Sequence, residues 1–188
     1  MEKKIYPRII RTYKLLTDSL MELLSEKKFE DIQVAEICER ATIRRATFYK
    51  HFGDKYELFT YMIKEIQEEF DKNNAMDYDA NRPQTYYISM ISQTFTFVEQ
   101  NKVMITSIVN SSACHILMDL LAEQIELDAR AKLKADEKRG AVLPGNPDYL
   151  APILAGALTY MARWWVLHDW RPDKEKIINE SIRLLKIM

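Results

Sequence analysis

The chain has 188 residues, 47% of them apolar and 29% charged, a balance typical of a soluble globular protein with one or two compact cores. Its 27 basic and 28 acidic residues give a net charge of −1, so bulk charge offers no argument for a nucleic-acid ligand. Two distant cysteines, with no metal-ligand spacing, argue against a disulfide framework. We find no signal-peptide pattern and no run of about 18 uncharged apolar residues, and therefore expect a cytoplasmic protein without a membrane partner.

Helical periodicity begins near residue 8, where apolar residues three and four apart predict an amphipathic helix to about residue 26. Two short helices joined by a tight turn are predicted within residues 32–55, because one apolar stripe runs through both. Asp54 then suits the N-cap of a helix over about residues 54–72, with Glu57 as its capping-box partner. The first three helices are expected to form one small domain.

The rest of the chain also reads as helices. After a polar stretch from Asp71 to Pro83, apolar periodicity resumes, and Asn146 and Pro147 mark the start of a later, mainly apolar helix. Only four glycines and six prolines interrupt the chain, which favours long helices. The sequence predicts an all-α protein of about nine helices: an N-terminal three-helix helix-turn-helix domain (1–55) and a larger C-terminal helical bundle (56–188).

The second short helix carries basic and polar side chains between its apolar positions: Arg44, Arg45, Thr47, Tyr49, Lys50 and His51. Arginine can pair with guanine, threonine offers a hydroxyl or methyl group to a base, and tyrosine and lysine donate to phosphate oxygens. A basic cluster on a short helix is often only a solvated face. The order of apolar and basic positions across the whole motif instead favours a recognition helix in a DNA major groove.

The stretch Ala41-Thr42-Ile43-Arg44-Arg45-Ala46-Thr47-Phe48-Tyr49-Lys50-His51-Phe52, with Lys55 and Leu58 after it, resembles the N-terminal signature of TetR-family transcriptional regulators. The resemblance extends over about residues 8–62. It implies base contacts for Arg44, Arg45 and Thr47, and phosphate contacts for Tyr49, Lys50, His51 and Lys55. Two positions depart from the family pattern: Thr42 stands where glycine is common, and Arg44 where a small polar residue is common. Both bear on the operator more than on the fold.

The aromatic residues and methionines of the second domain have two interpretations that the sequence leaves open. They line a cavity for a small, largely apolar or aromatic effector, or they form plain core. The candidate ligand-binding residues are Tyr87, Phe95, Met104, His115, Met118 and Trp164. We expect no metal and no cofactor, because the histidines have no ligand partners at metal spacing.

A homodimer is expected because two recognition helices on a two-fold axis match a palindromic site. Small and large apolar residues on the helix from about 147 to 169 suit close packing with a second copy, together with the last helix. The candidate interface residues are Ala155, Trp165, Ile178 and Ile182. The alternative is that these faces pack within one monomer.

The expected function is therefore a TetR-type regulator, a repressor that binds a palindromic operator in double-stranded DNA as a homodimer and is released by a small ligand. The alternative is a TetR-like co-regulator that acts through a protein partner, which the modest charge of residues 1–58 permits (12 basic, 10 acidic). An enzyme is not expected, because no glycine-rich phosphate loop, metal-ligand cluster or nucleophile–base set is found.

Overall fold

The computed structural model describes residues 7–74 and 84–187, with side chains over 7–72 and 88–183. In those ranges all regular structure is helical, with nine α-helices and one short 3-10 turn at Phe29–Asp31. The helices are α1 (Pro7–Glu26), α2 (Val34–Arg40), α3 (Arg45–Tyr49), α4 (Lys55–Asn74), α5 (Gln84–Gln100), α6 (Lys102–Val109), α7 (Cys114–Lys138), α8 (Pro147–Leu167) and α9 (Lys174–Ile187). The expected all-α class is confirmed.

The chain forms two compact units. The first contains the residues up to Ile63 together with Val103–Leu117, and the second contains Lys64–Lys102 and the residues from Met118 onward. The first unit therefore includes most of α6 and the start of α7 besides the helix-turn-helix. The first domain predicted from the sequence (1–55) does not contain those two segments.

The core of the first unit follows from the spacing on α1. Leu16, Leu20 and Leu24 recur every four residues and are fully buried, as expected for one face of an amphipathic helix. The far end of α1 is fixed by Arg40, whose guanidinium donates to both carboxylate oxygens of Glu26 at 2.5 and 2.8 Å. This bidentate pair joins the C-terminal ends of α1 and α2.

The start of α4 is capped as predicted. Asp54 Oδ1 accepts hydrogen bonds from the backbone N–H groups of Tyr56 (2.8 Å) and Glu57 (2.9 Å). The Glu57 carboxylate in turn accepts from the Gly53 N–H at 2.6 Å. These bonds satisfy backbone donors that a helix start leaves without intrahelical partners.

In the second unit, α5 packs against α8 and α9. The predicted N-cap of α8 is confirmed, since Asn146 Oδ1 accepts from the Asp148 N–H at 2.8 Å and Pro147 occupies the first turn. Among the described residues, one unbroken helix, α8, is long and apolar enough to cross a membrane, judged by length and composition. Core helices of soluble proteins also meet that test, so it gives little support to a membrane span.

Candidate nucleic-acid interface

The turn between α2 and α3 contains a residue in a conformation that side chains rarely adopt. Thr42 has φ +55°, in the left-handed region. A glycine adopts this region freely, whereas a β-branched residue is strained in it. The following residue closes the turn, because the Ile43 N–H donates to the Cys38 carbonyl at 2.9 Å. The departure from glycine noted in the sequence thus falls where glycine would relieve strain.

Two phenylalanines hold α3 on the domain. Phe48 is fully buried, Phe52 is 3% exposed, and their ring centroids lie 5.7 Å apart. The other side chains of α3 and its two ends are mainly turned to solvent. The exposed residues there are Arg44, Arg45, Tyr49 and Lys50, and Thr47 is half-buried between them.

A shallow depression adjoins this exposed side. It is lined by Ile32, Gln33, Val34 and Ala35 at the start of α2, by Arg45 and Tyr49 of α3, and by Asp54, Lys55 and Tyr56 at the start of α4. Tyr49 is 58% exposed although it is aromatic. The fold therefore presents Arg45 and Tyr49 on one concave surface.

The side chain of Lys55, for which a phosphate contact is expected, contacts the protein itself. Its ammonium group donates to the carbonyl oxygens of Phe29 (2.7 Å), Ile32 (2.7 Å) and Glu30 (3.2 Å), which uses all three of its donors inside the protein. The ammonium also lies 4.6 Å from the centre of the Phe29 ring. Burial lowers the pKa of Lys55 below its usual value, and nearby carboxylates such as that of Glu30 partly oppose this. The ammonium group thus ties the start of α4 to the segment before α2, and a phosphate contact through it stays a prediction.

His51 is half-buried beside Tyr13 of α1. The Tyr13 hydroxyl lies 3.3 Å from His51 Nδ1, and the two rings meet edge-on with centroids 5.2 Å apart. If the tyrosine donates to Nδ1, the remaining nitrogen Nε2 carries the proton and is a donor. Tyr13 lies 38 residues before His51, so that only the fold brings it next to the end of α3.

The model of bacterial regulatory proteins of the tetR family matches residues 16–62, from the middle of α1 into α4. The helix-turn-helix part of this chain is thus similar to the N-terminal domain of TetR-family regulators. Over 64 residues it is 39% identical to YxbF of Bacillus subtilis (strain 168), an uncharacterized HTH-type transcriptional regulator. That alignment covers 34% of this chain and 17% of YxbF, so it spans less than a fifth of the curated relative's length.

Solved structures of transcriptional regulators share the fold of this chain. A putative TetR-family regulator from Syntrophomonas wolfei str. Goettingen matches with a TM-score of 0.66 at 16% identity and covers 93% of each chain. FadR from Bacillus subtilis, solved with stearoyl-CoA, matches with a TM-score of 0.59 at 17% identity over 92% of this chain and 97% of its own. The matched family and these similar proteins are described as regulators rather than enzymes.

The candidate ligand residues have varied surroundings. Phe95 is fully buried, with its ring centre 5.9 Å from that of Trp165, and Trp164 is stacked on His168 at 4.1 Å. Met104 is buried in the first unit, where His115 is exposed, and Met118 is half-buried in the second. The side chain of Tyr87 lies outside the described residues. A shared cavity for these residues stays a prediction.

The candidate dimer residues lie mostly in the core of the second unit. Ala155 and Trp165 are each 1% exposed, and Ile178 is 8% exposed. The Trp165 indole donates from Nε1 to the Pro172 carbonyl at 2.7 Å, which fixes it inside the unit. These three side chains thus pack within the second unit, and an interface formed through them stays a prediction. Ile182 is half-buried and stays a prediction.

Proposed function

We propose that this protein is a TetR-type transcriptional repressor that binds a palindromic site in double-stranded DNA as a homodimer and is released by a small ligand. The observation that carries the DNA-binding part is the contrast between buried and exposed side chains at α3. Phe48 and, just after the helix, Phe52 are buried and anchor it, while Arg44, Arg45, Tyr49 and Lys50 are exposed. A short helix fixed in this way is suited to enter a major groove.

The proposed contacts fall into two groups. Arg44, Arg45 and Thr47 read base edges, with the arginines pairing with guanine O6 and N7. Tyr49, Lys50 and His51 bind backbone phosphates, the last through Nε2 while Tyr13 holds Nδ1. Lys55 supports them indirectly, because its ammonium fixes the segment Phe29–Ile32 against the start of α4.

A second copy is proposed to cover an apolar stripe on α8. Tyr149, Ile153, Tyr160 and Leu167 are 72%, 52%, 64% and 50% exposed, and their spacings of four and seven residues place them on one helix face. The exposed Gly156 and Ala157 lie between them and allow close helix approach. A second copy is the occupant we favour, because a two-fold dimer places two recognition helices about 34–36 Å apart on a palindrome.

The effector part of the proposal is supported by the neighbours and by the composition of the second unit. FadR of Bacillus subtilis was solved with stearoyl-CoA, a ligand with a long apolar chain. The candidate ligand residues of this chain are also mainly aromatic or sulfur-containing, which suits an apolar ligand. Preferential binding of such a ligand to a state with low DNA affinity would release the operator.

The DNA-binding part is tested with duplexes from the region upstream of the gene, titrated at several salt concentrations. The parent protein is expected to bind one duplex tightly, and Arg44→Ala or Arg45→Ala to lose about 1–3 kcal/mol on that duplex while binding mixed sequence almost unchanged. Lys64→Ala is the matched control, because Lys64 is an exposed basic residue on α4 away from α3 in sequence. Absence of salt-dependent DNA binding by the parent would overturn the proposal and favour the protein-partner alternative.

A further inference from the structure

The beginning of the chain holds a concentration of positive charge that the recognition helix does not account for. Residues 1–14 contain five basic residues and one acidic residue, although the whole chain has a net charge of −1. Three of the basic residues, Arg8, Arg11 and Lys14, lie on the described part of α1 and are exposed. Lys14 pairs with Asp18 at 3.2 Å, whereas no carboxylate among the described residues pairs with Arg8 or Arg11.

The charge pattern of α1 is opposite to the one that stabilises a helix. Acidic residues are favoured near the N-terminus and basic ones near the C-terminus, because the helix dipole is positive at its N-terminal end. In α1 the first turn has no acidic residue and the last turn no basic one, while Glu22 and Glu26 lie near its C-terminal end. The arginines at the start of α1 are thus unfavourable for the helix itself, which points to an anionic partner.

Contacts along α1 show which end of the unit these arginines occupy. The C-terminal end of α1 is tied to the end of α2 by the Glu26–Arg40 pair. Tyr13, near the other end, contacts His51 just after α3, with 3.3 Å between the hydroxyl and Nδ1. The N-terminal end of α1 therefore lies on the side of the unit where the recognition helix ends.

The distances suit a contact with the DNA backbone. An α-helix rises about 1.5 Å per residue, so Arg8 lies about 7.5 Å beyond Tyr13 along α1. The major groove is about 12 Å wide, so phosphates bordering it lie within this range of a helix in the groove. Arginine suits this partner, because its planar fork can pair with two phosphate oxygens at once.

We propose that the N-terminal end of α1 is a second DNA-binding surface, in which Arg8 and Arg11 bind backbone phosphates flanking the groove occupied by α3. The inference rests on the proposed function, since it assumes that α3 enters that groove. The two arginine contacts add affinity that does not depend on the DNA sequence, because phosphates are the same at every base step.

The test measures binding to a labelled mixed-sequence duplex of about 30 base pairs between about 50 and 200 mM salt. Each phosphate contact contributes about 0.9 to the slope of log K against log salt. The variant Arg8→Gln/Arg11→Gln is expected to lower the slope by about 1.8 and to weaken binding on the order of tenfold per lost contact near 0.1 M salt. The control Lys64→Gln/Lys138→Gln removes the same charge from exposed positions and is expected to leave the slope unchanged.

A charge reversal separates this role from a structural one. Arg8→Glu/Arg11→Glu places acidic residues where the helix dipole favours them, so the melting temperature should stay the same or rise while DNA binding falls below that of the glutamine variant. A purely structural role would move stability and binding in the same direction, and that result would overturn the inference.

The binding experiment distinguishes an error about the α1 surface from an error about DNA binding as a whole. If the parent binds the duplex and the glutamine variant keeps the slope of the lysine control, the α1 surface is wrong and the role of α3 stands. If the parent shows no salt-dependent binding to any duplex, both are overturned.

Discussion

The ammonium group of Lys55 lies 2.7 Å from the carbonyl oxygen of Phe29, 26 residues earlier in the chain. Further hydrogen bonds to Ile32 and Glu30 complete its donor set. The side chain of Glu30 reaches in another direction, accepting from the Ser111 hydroxyl and, at 2.8 Å, from the Ser112 N–H. One short segment thus joins the start of α4 to the corner between α6 and α7, both within the first unit.

The arrangement around Lys55 predicts a stability effect that a phosphate ligand would not give. Lys55→Met keeps the aliphatic volume but leaves three carbonyl oxygens without their donor, and we expect a loss of about 2 kcal/mol in the free energy of unfolding. Urea denaturation measures it. The slope of DNA binding against salt should stay close to that of the parent. Unchanged stability with a slope lowered by about 0.9 would show that Lys55 is a phosphate ligand after all.

A substitution at Thr42 is predicted to raise the stability of the protein. Its φ of +55° is unfavourable for a β-branched residue, so Thr42→Gly should raise the free energy of unfolding by about 1 kcal/mol. Thr42→Ala is the control, because alanine keeps a Cβ and most of the strain. A thermal melt of the three proteins compares them, and a glycine variant less stable than the parent would contradict the strain argument.

The surroundings of Glu30 predict that the stability of the protein depends on pH. Its hydrogen bonds from Ser111 and Ser112 lower the pKa of the carboxyl from 4.5 to about 2. The unfolded state then binds more protons between these values, so the stabilisation is present above about pH 4.5 and is lost as the pH falls toward 2.

The measurement for Glu30 is a comparison of variants by urea denaturation from pH 6 down to about pH 3. Glu30→Gln removes the titrating group and should make stability fall less steeply over this range. The exposed Glu68 of α4 supplies the matched variant Glu68→Gln, which should follow the parent. Equal slopes for the parent and Glu30→Gln would contradict the assigned role.

The helices and the exposed side of α3 could be predicted because both depend on local spacing. Phe48 and Phe52 recur four apart, which marks them as buried positions, and the basic and polar residues around them are marked as exposed positions. The role of Lys55 could not be predicted in this way. Its partners are 23 to 26 residues away, and only the packing of the segment before α2 brings those carbonyls within reach.

The side of α8 that meets its own core could not be predicted, for a different reason. This helix is apolar on more than one side, so periodicity identifies it as a packing helix without saying which side meets its own core. Trp165 is 1% exposed and lies against Phe95, whereas Tyr160 is 64% exposed. A sequence pattern alone cannot tell the apolar side of α8 that is buried in its own unit from the apolar side that is exposed.

The exposed stripe on α8 predicts a dimer that a single charge can disrupt. Ile153→Arg or Tyr160→Arg would bury a cation without a partner at the interface, and we expect the dimer dissociation constant to rise by tenfold or more. Sedimentation velocity over a micromolar concentration series measures it. Val142→Arg is the control, because Val142 is 95% exposed in the loop before α8 and lies outside the stripe.

The same variants also link the dimer to DNA binding. A monomer keeps α3 and should retain weak, salt-dependent binding to mixed-sequence duplex, but it loses the second half-site and therefore most of its preference for a palindrome. Ile153→Arg should thus lower affinity for the palindromic duplex far more than for mixed sequence. If the parent is a monomer at micromolar concentration, or if Ile153→Arg leaves both the assembly and the palindrome preference intact, the stripe is not the dimer interface.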